Sequence, residues 1–484
     1  MNFFVNLAMG IGNSGVEHAQ FYRARRFQQA GLPYRFVFLD LIFDLHRAID
    51  KWGLQDDHVL NIWEYLVLGG DYLTQGLTHR QASSQTKVID DTQTHRLSIE
   101  VFDSGIRAVH HLVKYPDQHH PDSSMLLVSS GRTELFNAAT GQRKVMYEER
   151  DDLHRGRQVV NIHLFDEAGK HLYFRNLVGL HRYFFAQLDR AYAGGSTFLI
   201  DRGENVDQAL MVSRIPDAKL VYMVHADHLS DRDVAAHPLW NDHYEYLLDY
   251  LAAVDRVVVA TQLQRQDLLR DFPNSGDKVV TIPVGGVADG GKPAAAHQRT
   301  GALRLITASR LAKEKHIDLI VKAVAILDAK KIPVTLDIYG QGGEQATIQQ
   351  AIDDQNVGSI VTLKGLSDHL DTVYPQYDAF VSASYSEGFG LTYIEALNAG
   401  LPVVTFAARF GAQELIQDGI NGFLQPFKRD SETYSAEQLA AGVERLLAAD
   451  YATLAANTQT SVADFQDHVI AEKWQVMINA LRNN

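Results

Sequence analysis

Two textures of apolar and polar positions alternate along the chain. Short continuous apolar runs joined by glycine-bearing turns occupy residues 1–65 and 197–287, and again everything from 303 onward. Such runs, at strand length and separated by helical-period stretches, predict doubly wound parallel sheets with helices on their faces. In the first block, 3–8 and 34–40 read as strands flanking a helix over 16–31 that closes on Gly31, which makes a first βαβ unit. Strands over 197–201, 219–225 and 256–260 continue that domain to about 287. Between the two parts, alternation replaces continuity. Runs at 87–90, 97–102, 107–113, 125–130, 145–148, 159–165 and 171–175 stand between turn signals such as Asp103-Ser104-Gly105 and Ala139-Thr140-Gly141. This pattern predicts a β-meander inserted over 66–196.

The segment 288–302, rich in Gly, Ala and Lys, reads as a linker. A second doubly wound domain then spans 303–463, with strands at 303–308, 334–339, 360–364, 377–381 and 403–406 and a helix over 318–329. Another helix starts near Phe389, puts Leu391, Ile394 and Leu397 on one face, and stops at Gly400 and Pro402. A last helix within 464–484 carries Phe465, Val469, Trp474, Met477 and Leu481, and its apolar face suits packing back on the N-terminal domain.

Composition narrows the class of protein. With 484 residues the chain exceeds one comfortable core, and 46% apolar residues belong to a globular protein. The longest apolar runs are strand-sized, so no membrane-spanning helix is expected, and the first residues lack the basic start of a signal peptide. There is no cysteine, hence no disulfide framework and no thiol chemistry. A cytoplasmic enzyme fits, with peripheral attachment to the inner face of the membrane left open. A net charge of −14 without a compensating basic run argues against nucleic-acid binding. His225 and His228 amount to half a metal site at most, while the pairs His110-His111 and His119-His120 fall in or beside turns. No metal site is expected.

Candidate chemistry concentrates in two stretches of the second domain. In Ser382 to Pro402, Glu387 precedes a helix N-terminus, Gly388 and Gly390 allow close backbone approach, and Glu395 lies two turns on. A carboxylate beside a phosphate-attracting helix end makes sense if it binds hydroxyls, as on a sugar joined to a diphosphate. Some 80 residues earlier, Arg310 and Lys315 follow the strand 303–308 and would point into the crevice at the carboxyl end of the sheet. Those two cations can neutralise a departing diphosphate without a metal. In the first domain Gly10, Gly12 and Gly15 match G-x-G-x-x-G, with Asp40 near the place of a ribose-binding acid. Taken alone that motif fits an NAD-dependent oxidoreductase, but Arg310, Lys315 and the paired glutamates have no part in hydride transfer. The loop instead reads as a backbone cradle, with Ser14 to His18 near the diphosphate. His225, at a strand end facing the crevice, suits a hydrogen bond to a sugar hydroxyl.

With Ser309-Arg310…Lys315 and the pair Glu387/Glu395, the chain resembles the retaining family 4 glycosyltransferases of GT-B architecture. The Gly-Ser-Gly turn, the β-rich insertion and His225-Ala226-Asp227-His228 narrow the resemblance to the catalytic subunits of bacterial serine-rich adhesin O-glycosyltransferases. Poly(glycerol-phosphate) α-glucosyltransferases of teichoic acid synthesis are similar but more distant. The resemblance implies a UDP-sugar donor, GlcNAc ahead of glucose, and transfer to Ser/Thr of a serine-rich protein or to a sugar already attached to it. It implies that Arg310 and Lys315 hold the diphosphate, and that Glu387 with Gly388, Phe389, Gly390 and Leu391 holds the sugar. Glu395 would then hold the ribose, and Leu366 and Ser367 the base. Ser14, Gly15, Val16, Glu17 and His18 would close on the diphosphate from the first domain, with His225 on the sugar. No metal or other cofactor is implied. A non-catalytic partner of similar fold, or self-association, is. The turn Gly12-Asn13-Ser14-Gly15 departs from the resemblance in being one residue shorter than it implies.

Overall fold

The buried strand Asn2–Asn6 centres the first part of the computed structural model. The structure describes residues 1–12, 15–89, 96–117, 120, 122, 124, 126–152, 156–232, 237–290 and 301–483. Two units emerge: one built of Met1–Gln20, Leu32–Met223 and Asp242–Arg256, the other of Phe21–Gly31, Val224–Asn241 and the chain from Val257 onward. In the first, parallel strands lie in the order Lys219–Val224, Thr197–Ile200, Asn2–Asn6, Tyr34–Phe38, Val59–Asn61. Their near-continuous apolar character follows from burial on both faces. At their carboxyl ends Asn6 Nδ2 donates to Gln20 Oε1 at 3.2 Å, and Gln20 Nε2 donates to Asp201 at 2.6 Å. These bonds leave the buried amides satisfied.

The inserted sheet holds seven antiparallel strands in chain order: Ser84–Ile89, Arg96–Val101, Ile106–Pro116, Leu126–Asn137, Arg143–Asp152, Gly156–Glu167 and Lys170–Asn176. Alternation places Leu135, Val145, Tyr147, Ile162 and Leu164 on its buried face. Tyr147 meets Trp63 there with ring centroids 5.1 Å apart. The sheet thus fills 84–176 of the 66–196 interval. The chain leaves it through a helix, Leu177–Ala191, whose Leu180, Phe184, Phe185 and Leu188 are buried.

The second unit contains a six-stranded parallel sheet, ordered Val361–Gly365, Val334–Tyr339, Leu303–Ala308, Ala379–Val381, Val403–Phe406, Gly422–Gln425. The terminal helix Asp467–Arg482 buries Ile470, Trp474, Met477, Ile478 and Leu481. It packs on the segment Phe21–Gly31: Phe27 and Trp474 rings lie 5.3 Å apart, and Tyr22 Oη donates to Asp467 at 2.7 Å. Of the segment read as a linker, 291–300 lies outside the described residues. Asp289 just before it accepts from the backbone and ring nitrogens of His468.

Candidate functional site

The loop after strand Leu303–Ala308 is fixed from below by two glycines. Gly340 and Gly342 have positive φ, and a Cβ on either would overlap the backbone carbonyls of Ser309 and Leu311. That absence of side chains lets Leu311 N donate to Gln341 O at 3.0 Å and Glu344 N donate to Leu311 O at 3.0 Å. Arg310 stands on this anchored loop, 62% exposed, with its guanidinium on Glu314 at 2.5 Å. One 3₁₀ turn, Lys313–Lys315, follows, then helix Ile317–Ala329. The side chain of Lys315, 22% exposed, forms an ion pair with Glu387, itself 18% exposed. Both ends of this pair reach solvent, so a ligand can compete for either.

Glu387 is held by its backbone. Its N–H donates to Arg409 O at 2.9 Å, and its carbonyl accepts from Phe410 N at 2.6 Å and Gly411 N at 2.9 Å. The carboxylate is therefore presented from a rigid loop. Next along, a Cβ on Gly388 would collide with the carbonyl oxygen of His225, which places half-buried His225 against this loop. Gly390 takes φ +88° as the residue before helix Leu391–Asn398. This left-handed residue starts the helix two positions later than the apolar pattern predicts, because φ +88° at Gly390 lies outside the helical range. Phe389 and Leu391 themselves pack inward, Phe389 on Phe465 with centroids 5.9 Å apart and Leu391 against Gly285. Their side chains support the loop.

Glu395 accepts from Tyr374 Oη at 3.3 Å. More than a third of the residue is exposed, while its carboxyl, beneath the Tyr374 hydroxyl, lies in crowded surroundings. That burial pushes its carboxyl up to about 7, helped by nearby Asp371 and opposed by the Tyr374 hydrogen bond. Gly365, at φ +74°, turns the chain so that Leu366 is 48% exposed, while Ser367 Oγ accepts from His369 N at 3.3 Å. Gly365 O also accepts from Gly340 N at 2.8 Å, so Leu366 and Ser367 adjoin the Arg310 loop. Arg310, Lys315, Leu366, Ser367, Glu387 and the 388–391 backbone thus share one crest of this unit, at the carboxyl ends of its strands.

In the first unit Gly15, Val16, Glu17 and His18 open helix Gly15–Gln29, and Ser14 lies outside the described residues. Glu17 accepts from Gly10 N at 2.9 Å, which folds the glycine loop back onto the helix. Lys51 Nζ donates to Ile11 O at 2.7 Å and Trp52 Nε1 to Gly10 O at 2.9 Å, while the ring of Trp52 meets His18 edge-on. Sequence reasoning missed Lys51 and Trp52; nothing in their local spacing ties them to a loop 40 residues earlier. Asp40 sits at the end of strand Tyr34–Phe38 as anticipated, its carboxyl pushed up to about 6 by burial and by Glu204.

Among the described residues no three His, Cys, Asp or Glu side chains come together as a metal site. His228 is a core ring, stacked on Phe410 at 5.9 Å and held below its ordinary value by burial. Among the described residues no helix is long and apolar enough to cross a membrane.

A family model for group 1 glycosyl transferases matches residues 294–460. The UDP-N-acetylglucosamine–peptide N-acetylglucosaminyltransferase GtfA subunit of Streptococcus pneumoniae serotype 4 is 31% identical over 88% of each chain. Its counterpart from Limosilactobacillus reuteri subsp. suis is 29% identical over 99% of each. A Bacillus subtilis poly(glycerol-phosphate) alpha-glucosyltransferase, 28% identical, covers 55% of this chain and 38% of its own. Among solved structures, the pneumococcal O-GlcNAc transferase GtfA in complex with UDP and GlcNAc matches with a TM-score of 0.70 at 25% identity, covering 100% of this chain and 99% of its own. A GtfA/B complex chain matches with a TM-score of 0.71 at 24% identity, covering 100% of both chains. The fold is GT-B.

Proposed function

The chain belongs to the family of bacterial UDP-N-acetylglucosamine–peptide N-acetylglucosaminyltransferase GtfA subunits, a relative 31% identical over 88% of each chain establishing the membership, and from that premise we propose its reaction. It moves N-acetylglucosamine from UDP-N-acetylglucosamine to a Ser or Thr hydroxyl of a serine-rich protein, or to a sugar already attached there. The observation that carries this reading is the Lys315–Glu387 ion pair with Arg310 on the same crest. A diphosphate needs cations and a hexose needs a rigid hydroxyl acceptor, and here the two adjoin.

In this reading Arg310 and Lys315 bind the diphosphate, and Glu387, paired with Lys315, accepts sugar hydroxyls at its oxygens. The backbone N–H groups of 388–391 complete that pocket, and His225 reaches the sugar. Glu395 accepts from the ribose, and the nucleobase lies beside Leu366 and Ser367. Gly15 to His18, at the start of helix Gly15–Gln29 in the first unit, are a further phosphate-binding loop in this reading. As the glycosidic carbon–oxygen bond to the diphosphate breaks, negative charge grows on the leaving oxygen, and the two cations stabilise it. The acceptor oxygen attacks the same face, and its proton passes to the departing phosphate, so the anomeric configuration is retained. No metal enters this scheme. The GtfA/B complex supports assembly with a second chain; that this chain is a non-catalytic subunit of similar fold, and that the pair works in the cytoplasm at the inner membrane face, is part of the same proposal.

Donor hydrolysis tests the reading. With UDP-N-acetylglucosamine and UDP-glucose side by side, faster release of UDP from the former is expected. Preference for UDP-glucose would move the assignment to a teichoic acid α-glucosyltransferase.

A further inference from the structure

Lys315 and Glu387 are joined twice. Besides the ion pair, the residue after Lys315 touches the residue two before Glu387: the His316 ring lies on Tyr385 with centroids 4.1 Å apart and planes 32° apart. His316 is left-handed, φ 46° and ψ 42°, a conformation that L side chains avoid. The turn is closed by His316 N donating to Lys313 O at 3.2 Å and by Leu319 N donating to His316 O at 3.0 Å. It makes the corner between the Lys313–Lys315 turn and helix Ile317–Ala329, and so sets the direction in which Lys315 leaves the chain.

What holds an unfavourable corner must be rigid, and Tyr385 is. It is 8% exposed, stacked on Phe427 at 4.7 Å and 11°, packed on Phe406 at 5.5 Å, and faced by Arg429 at 5.6 Å. Backbone strain retained next to reacting groups persists only where the surroundings over-determine it. Burial and Arg429 draw the His316 imidazole below its ordinary value, against Asp318, Glu432 and Glu314. A neutral ring brings no second cation beside the Lys315 ammonium.

We propose that His316 is a positioning residue: packed ring to ring on Tyr385, it holds the left-handed corner that aims Lys315 at the donor diphosphate and keeps it paired with Glu387 in the free enzyme. The proposal rests on the diphosphate reading above, and predicts that His316 acts only through Lys315. His316→Gly removes the ring and relaxes the corner without straining the backbone, so a folding defect is not expected. Tyr385→Phe keeps the ring contact.

Titration of the full chain with UDP in a calorimeter decides the matter in five proteins: wild type, His316→Gly, Lys315→Ala, the double variant of these two, and Tyr385→Phe. His316→Gly should weaken UDP binding about tenfold in the wild-type background and less than about twofold once Lys315 is Ala, since coupled residues are non-additive. Tyr385→Phe should stay within about twofold of wild type, as a ring-for-ring exchange. Unchanged UDP affinity in His316→Gly, or an equal loss in both backgrounds, overturns the proposal. If Lys315→Ala binds UDP as tightly as wild type, the diphosphate assignment itself fails, and this outcome is recognised before His316 is considered.

Discussion

His181 offers a quantitative test of how the helix that follows the inserted sheet is buried. It lies in helix Leu177–Ala191, 2% exposed, and neither ring nitrogen has a hydrogen-bond partner among the described residues. Burial alone depresses its imidazole to about 4, against an ordinary 6.5. The folded state therefore carries a neutral ring, while the unfolded chain takes up a proton as pH falls below 6.5. Stability from this group is present above pH 6.5 and lost progressively down to about pH 4. The gap between the two values, at about 1.4 kcal/mol per pH unit, corresponds to about 3 kcal/mol, most of it lost by about pH 4.5. His181→Leu removes the titrating group and keeps an apolar volume. Hydrogen exchange of the helix amides, compared between the two proteins at each pH, reads the local free energy. On acidification from about pH 7.5 to about pH 4.5 the variant should gain about 2–3 kcal/mol over wild type. Parallel profiles would refute the argument, because they would mean that the ring is hydrated or paired in the folded protein.

His46 should show the opposite sign. Burial disfavours its charge, but hydrogen bonds to Glu64 at 2.8 Å and Asp56 at 2.7 Å prevail and raise it to about 9. Its contribution is complete below pH 6.5 and disappears as pH rises through 9, so thermal melts of His46→Gln should lose the alkaline decline that wild type shows between those values. Glu395, at about 7, should make UDP binding tighten as pH rises from about 6 to about 8, since ribose hydroxyls favour the carboxylate. Calorimetry with Glu395→Gln should give a flat profile, and a sloping one would remove Glu395 from the site. EDTA should leave donor turnover within about twofold of the untreated rate if Arg310 and Lys315 supply the charge that a metal would otherwise supply. Strong inhibition reversed by a divalent ion would contradict that.

The strands over 303–308, 334–339 and 403–406 were legible to the residue, because each is an apolar run bounded by turn residues. The strand read over 377–381 begins at Ala379. Polar bonds claim the residues before it: Tyr377 Oη donates to Asp337 at 2.6 Å, and Arg304 N donates to Asp378 at 2.7 Å. Helix Leu177–Ala191 was missed as an element, although Leu180, Phe184 and Leu188 stand at four-residue spacing, because the preceding alternation carried the meander reading past its end. The crest residues were legible only as two separated motifs. That Lys315 meets Glu387 across 72 positions follows from strands Leu303–Ala308 and Ala379–Val381 being neighbours in the sheet. The contact of His316 with Tyr385 and the reach of Lys51 and Trp52 to the glycine loop follow no spacing rule at all. They are products of packing between segments distant in sequence, which local pattern does not encode.

The central claim concerns which sugar is moved, and onto what. The most direct measurement is the mass of a serine-rich peptide after incubation with the purified protein and its associated chains, with UDP-N-acetylglucosamine or UDP-glucose as donor. The account predicts N-acetylhexosamine additions with the first donor, abolished in Lys315→Ala. Hexose additions from UDP-glucose, or additions that persist in Lys315→Ala, would contradict it.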